Sequence, residues 1–250
     1  MRIRVGHLYP EYLNIYADRG NIAVLARRAA LRGHELDVDS VSVADSLSAD
    51  GYDLLYIGGG QDREQALVAP DLAAKAQAID AAVRDGAALL AVCGGYQLLG
   101  RGYRGQDGSF MAGTGLFPHE TVAGNRRMIG DVLLSCELVT GEPRTLAGFE
   151  NHAGRTRLDP DAVPLGRVIA GFGNDGESGH EGCVVGHAVG TYLHGPLLPR
   201  NPWLADLLLS WALSHAKGTT PEPLATLPDH LEQVAHDVAA LRARDRGGRS

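Results

Sequence analysis

Leu89-Leu90-Ala91-Val92-Cys93-Gly94-Gly95-Tyr96-Gln97-Leu98-Leu99-Gly100 is the stretch from which the rest of the chain is read. Ala88 to Val92 is apolar without a break, as expected of a strand buried on both faces of a parallel sheet. Gly94-Gly95 interrupts the run, and Tyr96 to Leu99 resumes an apolar pattern that suits a helix. A strand, a sharp turn and a helix with one nucleophile at the apex make a nucleophile elbow. The usual form G-x-S-x-G stands here as Ala91-x-Cys93-x-Gly95. Small neighbours let the backbone turn tightly and lift the side chain clear of the sheet edge. The helix start behind Cys93 favours its thiolate. A free cysteine at a strand end is also a common core residue; the paired glycines weigh for the nucleophile.

Upstream of the elbow, Ile3 to Leu8 is predicted as a first strand, followed by a polar and aromatic loop from Tyr9 to Asn21. Asn21 is predicted to cap a helix running to about Arg32, with Gly33 as its stop. Strands follow at Glu35 to Val43 and Leu54 to Ile57, the latter opening into Gly58-Gly59-Gly60. Asp71 to Asp85 has a helical stripe of Leu72, Ala76, Ile79 and Val83, ended by Gly86. Strands alternating with helices up to residue 100 indicate a doubly wound α/β sheet.

Downstream the pattern turns strand-rich and mixed, with short runs at Met128 to Leu134, Leu146 to Glu150, Arg167 to Ala170 and Cys183 to Gly190. The next helix is expected at Asn201-Pro202, with Asn as cap and Pro in the first turn. Thr219 to Pro228 carries three prolines and reads as a linker. A last helix, about Asp229 to Arg244, has a narrow stripe of Leu231, Val234, Val238 and Leu241. Such a stripe is expected to cover a seam, on the domain surface or on a partner.

The 250 residues suit one large domain or a domain with an appendage. Apolar residues make up 44% and charged residues 21%, ordinary for a soluble globular protein. A net charge of −7 without a basic block argues against a nucleic-acid partner. Cys93, Cys136 and Cys183 show no C-x-x-C spacing, which argues for a reducing compartment and against a disulfide framework or a zinc site. The first residues run directly into a strand, with no signal-peptide pattern and no membrane span. A cytoplasmic protein is expected.

A cysteine nucleophile needs a base and an oxyanion hole. Of ten histidines, His194 is the best placed, after the run Cys183 to Leu193 and before Gly195-Pro196. That is a loop at a strand end, where sites form in open α/β sheets, and the order Cys then His suits Cys–His enzymes. An exposed loop histidine is the plainer reading. Gly58-Gly59-Gly60 ends the strand before the elbow, so the Gly59 N–H can join the Gly94 N–H in an oxyanion hole. A flexible turn is the alternative. G-x-x-x-x-G-K is absent, so a nucleotide has no P-loop here.

Gly58-Gly59-Gly60, Cys93-Gly94-Gly95-Tyr96-Gln97-Leu98 and Thr191-Tyr192-Leu193-His194-Gly195 together resemble the class I (Cys–His) glutamine amidotransferases, in the cobyric-acid-synthase-like branch. Tyr9-Pro10, Leu13-Asn14, Asp18-Arg19-Gly20-Asn21 and Gly148-Phe149-Glu150-Asn151-His152-Ala153-Gly154-Arg155-Thr156 narrow it to the GatD type, glutaminase subunits of lipid II isoglutaminyl synthase. The resemblance covers about residues 1 to 217. It implies a three-layer α/β sandwich with a mostly parallel central sheet and an amidotransferase domain over 1–217; the Pro-rich linker over 218–228 and the C-terminal helix with its polar tail over 229–250 lie outside it. It implies hydrolysis of L-glutamine through a Cys93 thioester. Ammonia then passes to a MurT-like ligase subunit in a heterodimer, which amidates D-glutamate of the lipid II stem peptide. No cofactor or metal is expected in this chain; ATP and Mg belong to the ligase. By the same resemblance Arg127 binds glutamine, and Gln97 is expected to make a second substrate contact. An arginine fork suits the α-carboxylate.

Many class I enzymes carry His-x-Glu, whose carboxylate orients the base. Here the triplet is His194-Gly195-Pro196. Three other readings stand beside this one: an amidotransferase for a cobyrinate-type acid, a free-standing elbow hydrolase such as a peptidase or γ-glutamyl hydrolase, and an inactive interaction module.

Overall fold

The elbow strand sits in the middle of the sheet that organises the chain. In the computed structural model the described residues are 1–15, 19–138 and 143–247; Asp18 of the Asp18-Arg19-Gly20-Asn21 segment lies outside them. Strand β4 (Ala88–Val92) pairs in parallel with β3 (Leu54–Ile57) on one side and β12 (Ala188–Thr191) on the other. Beyond β3 come β1 (Arg2–Leu8) and β2 (Glu35–Val41), also parallel. β11 (Cys183–Val185) closes the far edge antiparallel to β12. All five residues of β4 and all four of β3 are buried, which explains their uninterrupted apolar sequences. The expected α/β architecture with a mostly parallel central sheet is the observed one.

Helices α1 (Arg19–Ala30), α2 (Asp62–Ala74), α3 (Ala76–Asp85), α4 (Gly94–Leu99) and α5 (Pro202–Lys217) flank this sheet. A second sheet is built around the long hairpin of β7 (His119–Cys136) and β8 (Arg144–Leu158), with β5 (Gly102–Arg104), β6 (Phe110–Ala112), β9 (Gly166–Ala170) and β10 (His180–Glu181). It is antiparallel except between β5 and β7. α6 (His230–Gly247) lies against β7, β8 and β9.

Several local expectations need correction. Asn21 does not cap α1, which starts at Arg19. Asn21 is buried inside it, donating to the Tyr56 hydroxyl at 3.1 Å and accepting from the Leu198 N–H at 2.9 Å. β2 stops at Val41, two residues early. The single helix expected over Asp71 to Asp85 is two: the end of α2, which begins at Asp62, and α3, the two separated at Lys75. Pro70 sits inside α2, whose first turn already carries Asp62 and Glu64, charges that favour a helix N-terminus. The run Cys183 to Gly190 is a hairpin, not one strand, turning at Gly186-His187. Asn201 stands at the cap position of α5 without capping it. Its amide instead clamps Ala147 of β8, accepting from N–H at 2.9 Å and donating to C=O at 2.8 Å.

α6 does not lay its stripe on the domain surface. It buries His236, Ala239, Ala240 and Ala243 and packs with Leu133, Ala147 and Ala170 of the second sheet. Leu231, Val234, Val238 and Leu241 face outward, between 46% and 77% exposed. At its start, Asp229 and Asp206 of α5 share the buried Arg28 guanidinium of α1 at 2.6–2.9 Å, and Arg32 adds a bond to Asp206 at 2.8 Å.

Candidate active site

Three parallel neighbours bring their C-terminal ends to one edge of the central sheet. Ile57 of β3 is in register with Ala91 and Thr191 of β12 with Val92, so the triglycine, Cys93 and the segment leading to His194 leave the sheet side by side. Cys93 has φ 50° and ψ −106°, a positive φ that a side chain rarely adopts. Its N–H is bonded to the Thr191 carbonyl at 2.8 Å, and its carbonyl accepts from Gln97 at 2.9 Å. The elbow is therefore strained at its apex and fastened on both sides. The glycines behind it are required by close approach. A Cβ on Gly94 would lie 2.9 Å from the Gly60 nitrogen, and one on Gly95 would lie 2.8 Å from the Gly58 oxygen. The Gly95 N–H bonds to that oxygen at 3.1 Å.

Cys93 opens into a cavity of about 670 Å³, lined in part by Gly60, Asp62, Gln65, Gln97, Tyr103 and Arg127. Gly60 lines it; Gly59 and Gly94 do not, Gly94 lying behind Gly60 and the Gly59 carbonyl accepting from the Ile15 N–H at 3.1 Å. Arg127 faces the cavity and Arg126 is not part of its lining. Asn151 steadies Arg127, its side-chain oxygen accepting from Nε at 2.8 Å and its backbone carbonyl from Nη2 at 2.9 Å. The Gln97 amide is engaged at both ends, accepting from Gln65 at 3.0 Å and donating to the Tyr192 hydroxyl at 3.1 Å. Gln65 also donates to the Gly60 carbonyl at 3.1 Å, and Tyr192 continues through Thr156 at 2.6 Å to Thr121 at 2.7 Å. This buried chain of hydrogen bonds ties the triglycine loop to the elbow helix and to the second sheet.

His194 is fully buried and outside the cavity lining. It exchanges two backbone bonds with Phe149 of β8, at 2.8 and 3.3 Å. Glu181 holds the segment ahead of it, accepting from the Tyr192 N–H at 2.6 Å and the Thr191 hydroxyl at 3.0 Å. Complete burial pushes that carboxyl up to about 8, against the pull of these hydrogen bonds. Pro196, which stands where the class I resemblance leads one to expect a carboxylate, packs on α1; a Cβ on Gly20 would lie 2.6 Å from its ring. Glu150 is also buried, accepting from the N–H groups of Phe172 and Gly173 at 2.6 and 2.9 Å. The other two cysteines are set apart chemically: burial pushes Cys136 up to about 11 and Cys183 up to about 12.

Sequence reasoning passed over Asp62, Gln65 and Tyr103, and took Gly60 only as part of the triglycine loop. Gly60 was the nearest to legible, as the last glycine of the loop. The others are polar residues on α2 and β5 that only the tertiary fold brings to Cys93. Among the described residues no group of three or more His, Cys, Asp or Glu side chains is arranged to hold a metal ion, and no helix is long and apolar enough to cross a membrane.

Residues 4–202 match the CobB/CobQ-like glutamine amidotransferase domain. The lipid II isoglutaminyl synthase (glutamine-hydrolyzing) subunit GatD of Streptococcus pneumoniae is 41% identical over 239 residues, 95% of this chain and 89% of that one. Its counterpart from Staphylococcus aureus is 38% identical over 241 residues, 96% of each. A match of that span reaches into α6, farther than the motifs of the amidotransferase domain do. Among solved structures, PurLQS from Thermotoga maritima superposes with a TM-score of 0.58 at 16% identity, over 87% of this chain and 99% of that one. That likeness concerns the fold.

Proposed function

The chain belongs to the CobB/CobQ-like glutamine amidotransferase family, and from that premise we propose that it is the glutaminase subunit of a lipid II isoglutaminyl synthase. What carries the reading is Cys93, held at a strained elbow in the same cavity as Arg127. Two relatives similar over nearly their whole length carry that subunit's name.

In this reading Arg127 takes the α-carboxylate of L-glutamine, a bidentate partner for a guanidinium. His194 removes the Cys93 proton and the sulfur attacks the side-chain carboxamide carbon. Negative charge on the carboxamide oxygen is met by backbone N–H groups of the triglycine loop and Gly94, rigid because the loop and elbow interlock. The C–N bond breaks as His194 returns the proton to the departing nitrogen, releasing ammonia. Water then attacks the γ-glutamyl thioester, freeing glutamate and restoring the thiol. Ammonia serves a MurT-like ligase subunit. That subunit, with its own ATP and Mg, activates the α-carboxylate of D-glutamate in the lipid II stem peptide and yields D-isoglutamine.

Cys93→Ser should abolish glutamine hydrolysis with the fold intact, since a serine hydroxyl ionises far less than a thiol. A glutamine analogue with an electrophilic δ-carbon should label Cys93 and spare Cys136 and Cys183. Label on either of the latter, read by mass spectrometry, would sink the assignment.

A further inference from the structure

Two residues of opposite charge stand on the rim of the Cys93 cavity without meeting. Asp62 is the first residue of α2, and Arg127 lies in β7 beside the register shift between Ala123 and Met128. Among the described residues no ion pair joins them, nor does either pair with another charged group. Asn151 occupies Nε and Nη2 of Arg127, leaving Nη1 for a ligand.

Tyr103 sits between the two. It is buried on β5, and its hydroxyl donates to Oδ2 of Asp62 at 3.2 Å. Burial and then the Asp62 carboxylate push the phenol up to about 12, while Arg127 pulls it down and the Cys93 sulfur adds to the rise. One ring thus lies within the field of the carboxylate, the guanidinium and the nucleophile. The hydrogen bond fixes one oxygen of Asp62 and leaves Oδ1 open.

An unpaired carboxylate and an unpaired guanidinium beside one nucleophile fit a ligand with both charges on one carbon. An α-amino acid is such a ligand. The ammonium group offers three donors, and a charge-assisted hydrogen bond is stronger than a neutral one. Resting on the glutaminase reading, we infer that Asp62 binds the α-ammonium of glutamine opposite Arg127 on the α-carboxylate, Tyr103 positioning Asp62. The site then selects the free amino acid. A glutaminyl residue within a peptide has neither charge, and an N-acylated glutamine would present a neutral amide to the carboxylate, leaving its charge uncompensated.

The test uses the full chain and reads the protection of Cys93 from alkylation by iodoacetamide. The ligands are glutamine and glutaramate, the same molecule without its amino group. For the wild type, half-protection by glutaramate should need about 10- to 100-fold more ligand than by glutamine, the range of a hydrogen bond to a charged group. In Asp62→Asn the two concentrations should fall within about threefold of each other, glutamine weakening while glutaramate stays where it was. Asp62→Glu, which keeps the charge, should recover part of the preference. An unchanged ratio in Asp62→Asn overturns the inference, as does equal weakening of both ligands, the mark of a merely structural residue. Glutamine failing to protect the wild-type protein would instead remove the glutaminase reading itself.

Discussion

His119 shows how a single buried ring couples the site to pH. It begins β7, fully buried, with its centroid 4.5 Å from Tyr96 of the elbow helix and 6.0 Å from Phe117. Burial holds its pKa down to about 3, against an ordinary 6.5. Between those values the unfolded chain takes up a proton on His119 and the folded chain does not. The stability from keeping the ring neutral is therefore complete above pH 6.5 and drains away as pH falls toward 3. Urea midpoints measured from pH 7 to pH 4 should decline for the wild type, and less steeply for His119→Gln. Parallel curves would show that other groups carry the acid sensitivity.

Among the elements, α6 is the one whose apolar pattern and packing face disagree. Leu241→Ser should change stability by less than about 0.5 kcal/mol, as expected of an exposed position. Ala243→Leu should cost about 1–3 kcal/mol, because Ala243 is 1% exposed against the second sheet and the added atoms have no room. Denaturant titration of the two variants checks the pair, and the reverse order would mean that the larger side chains make the contact. The reason the sequence misleads here is physical. Small residues let a helix approach a sheet closely, but alanine carries little periodic signal beside leucine and valine. Elsewhere legibility followed how local the cause was. The elbow was readable because a buried apolar run and two glycines act within the eight residues from Ala88 to Gly95. Asn21 and Asn201 look like caps in any sequence, yet their amides answer to Leu198 and Ala147, far along the chain. Asp62 and Tyr103 meet across 41 positions, and neither has a local mark of its role.

For the whole molecule, the described part of the C-terminal segment packs on the body of the fold. Removing residues 218–250 would uncover Leu133, Ala147 and Ala170 and leave Arg28 with one of its two carboxylates. Asp206→Asn should cost about 3–5 kcal/mol, since Asp206 serves both Arg28 and Arg32 and its loss strands buried charge. A chain ending at Lys217 should melt well below the full chain by calorimetry. Equal melting temperatures would make the segment dispensable to the fold.

The Arg28 clasp also sets a timetable for the newborn chain. Asp206 follows Arg28 by 178 positions and Asp229 by 201. At a translation rate of about 5–20 residues per second, the last carboxylate is made about 10–40 s after the arginine it will hold. Until then α1 carries a cation that its finished surroundings would exclude from water. The amino-terminal strands can pair during synthesis, but this lock closes only after Asp229 has been made. A message cut short ahead of Asp229 yields a product with the nucleophile in place and the latch open, a form that proteases are equipped to find.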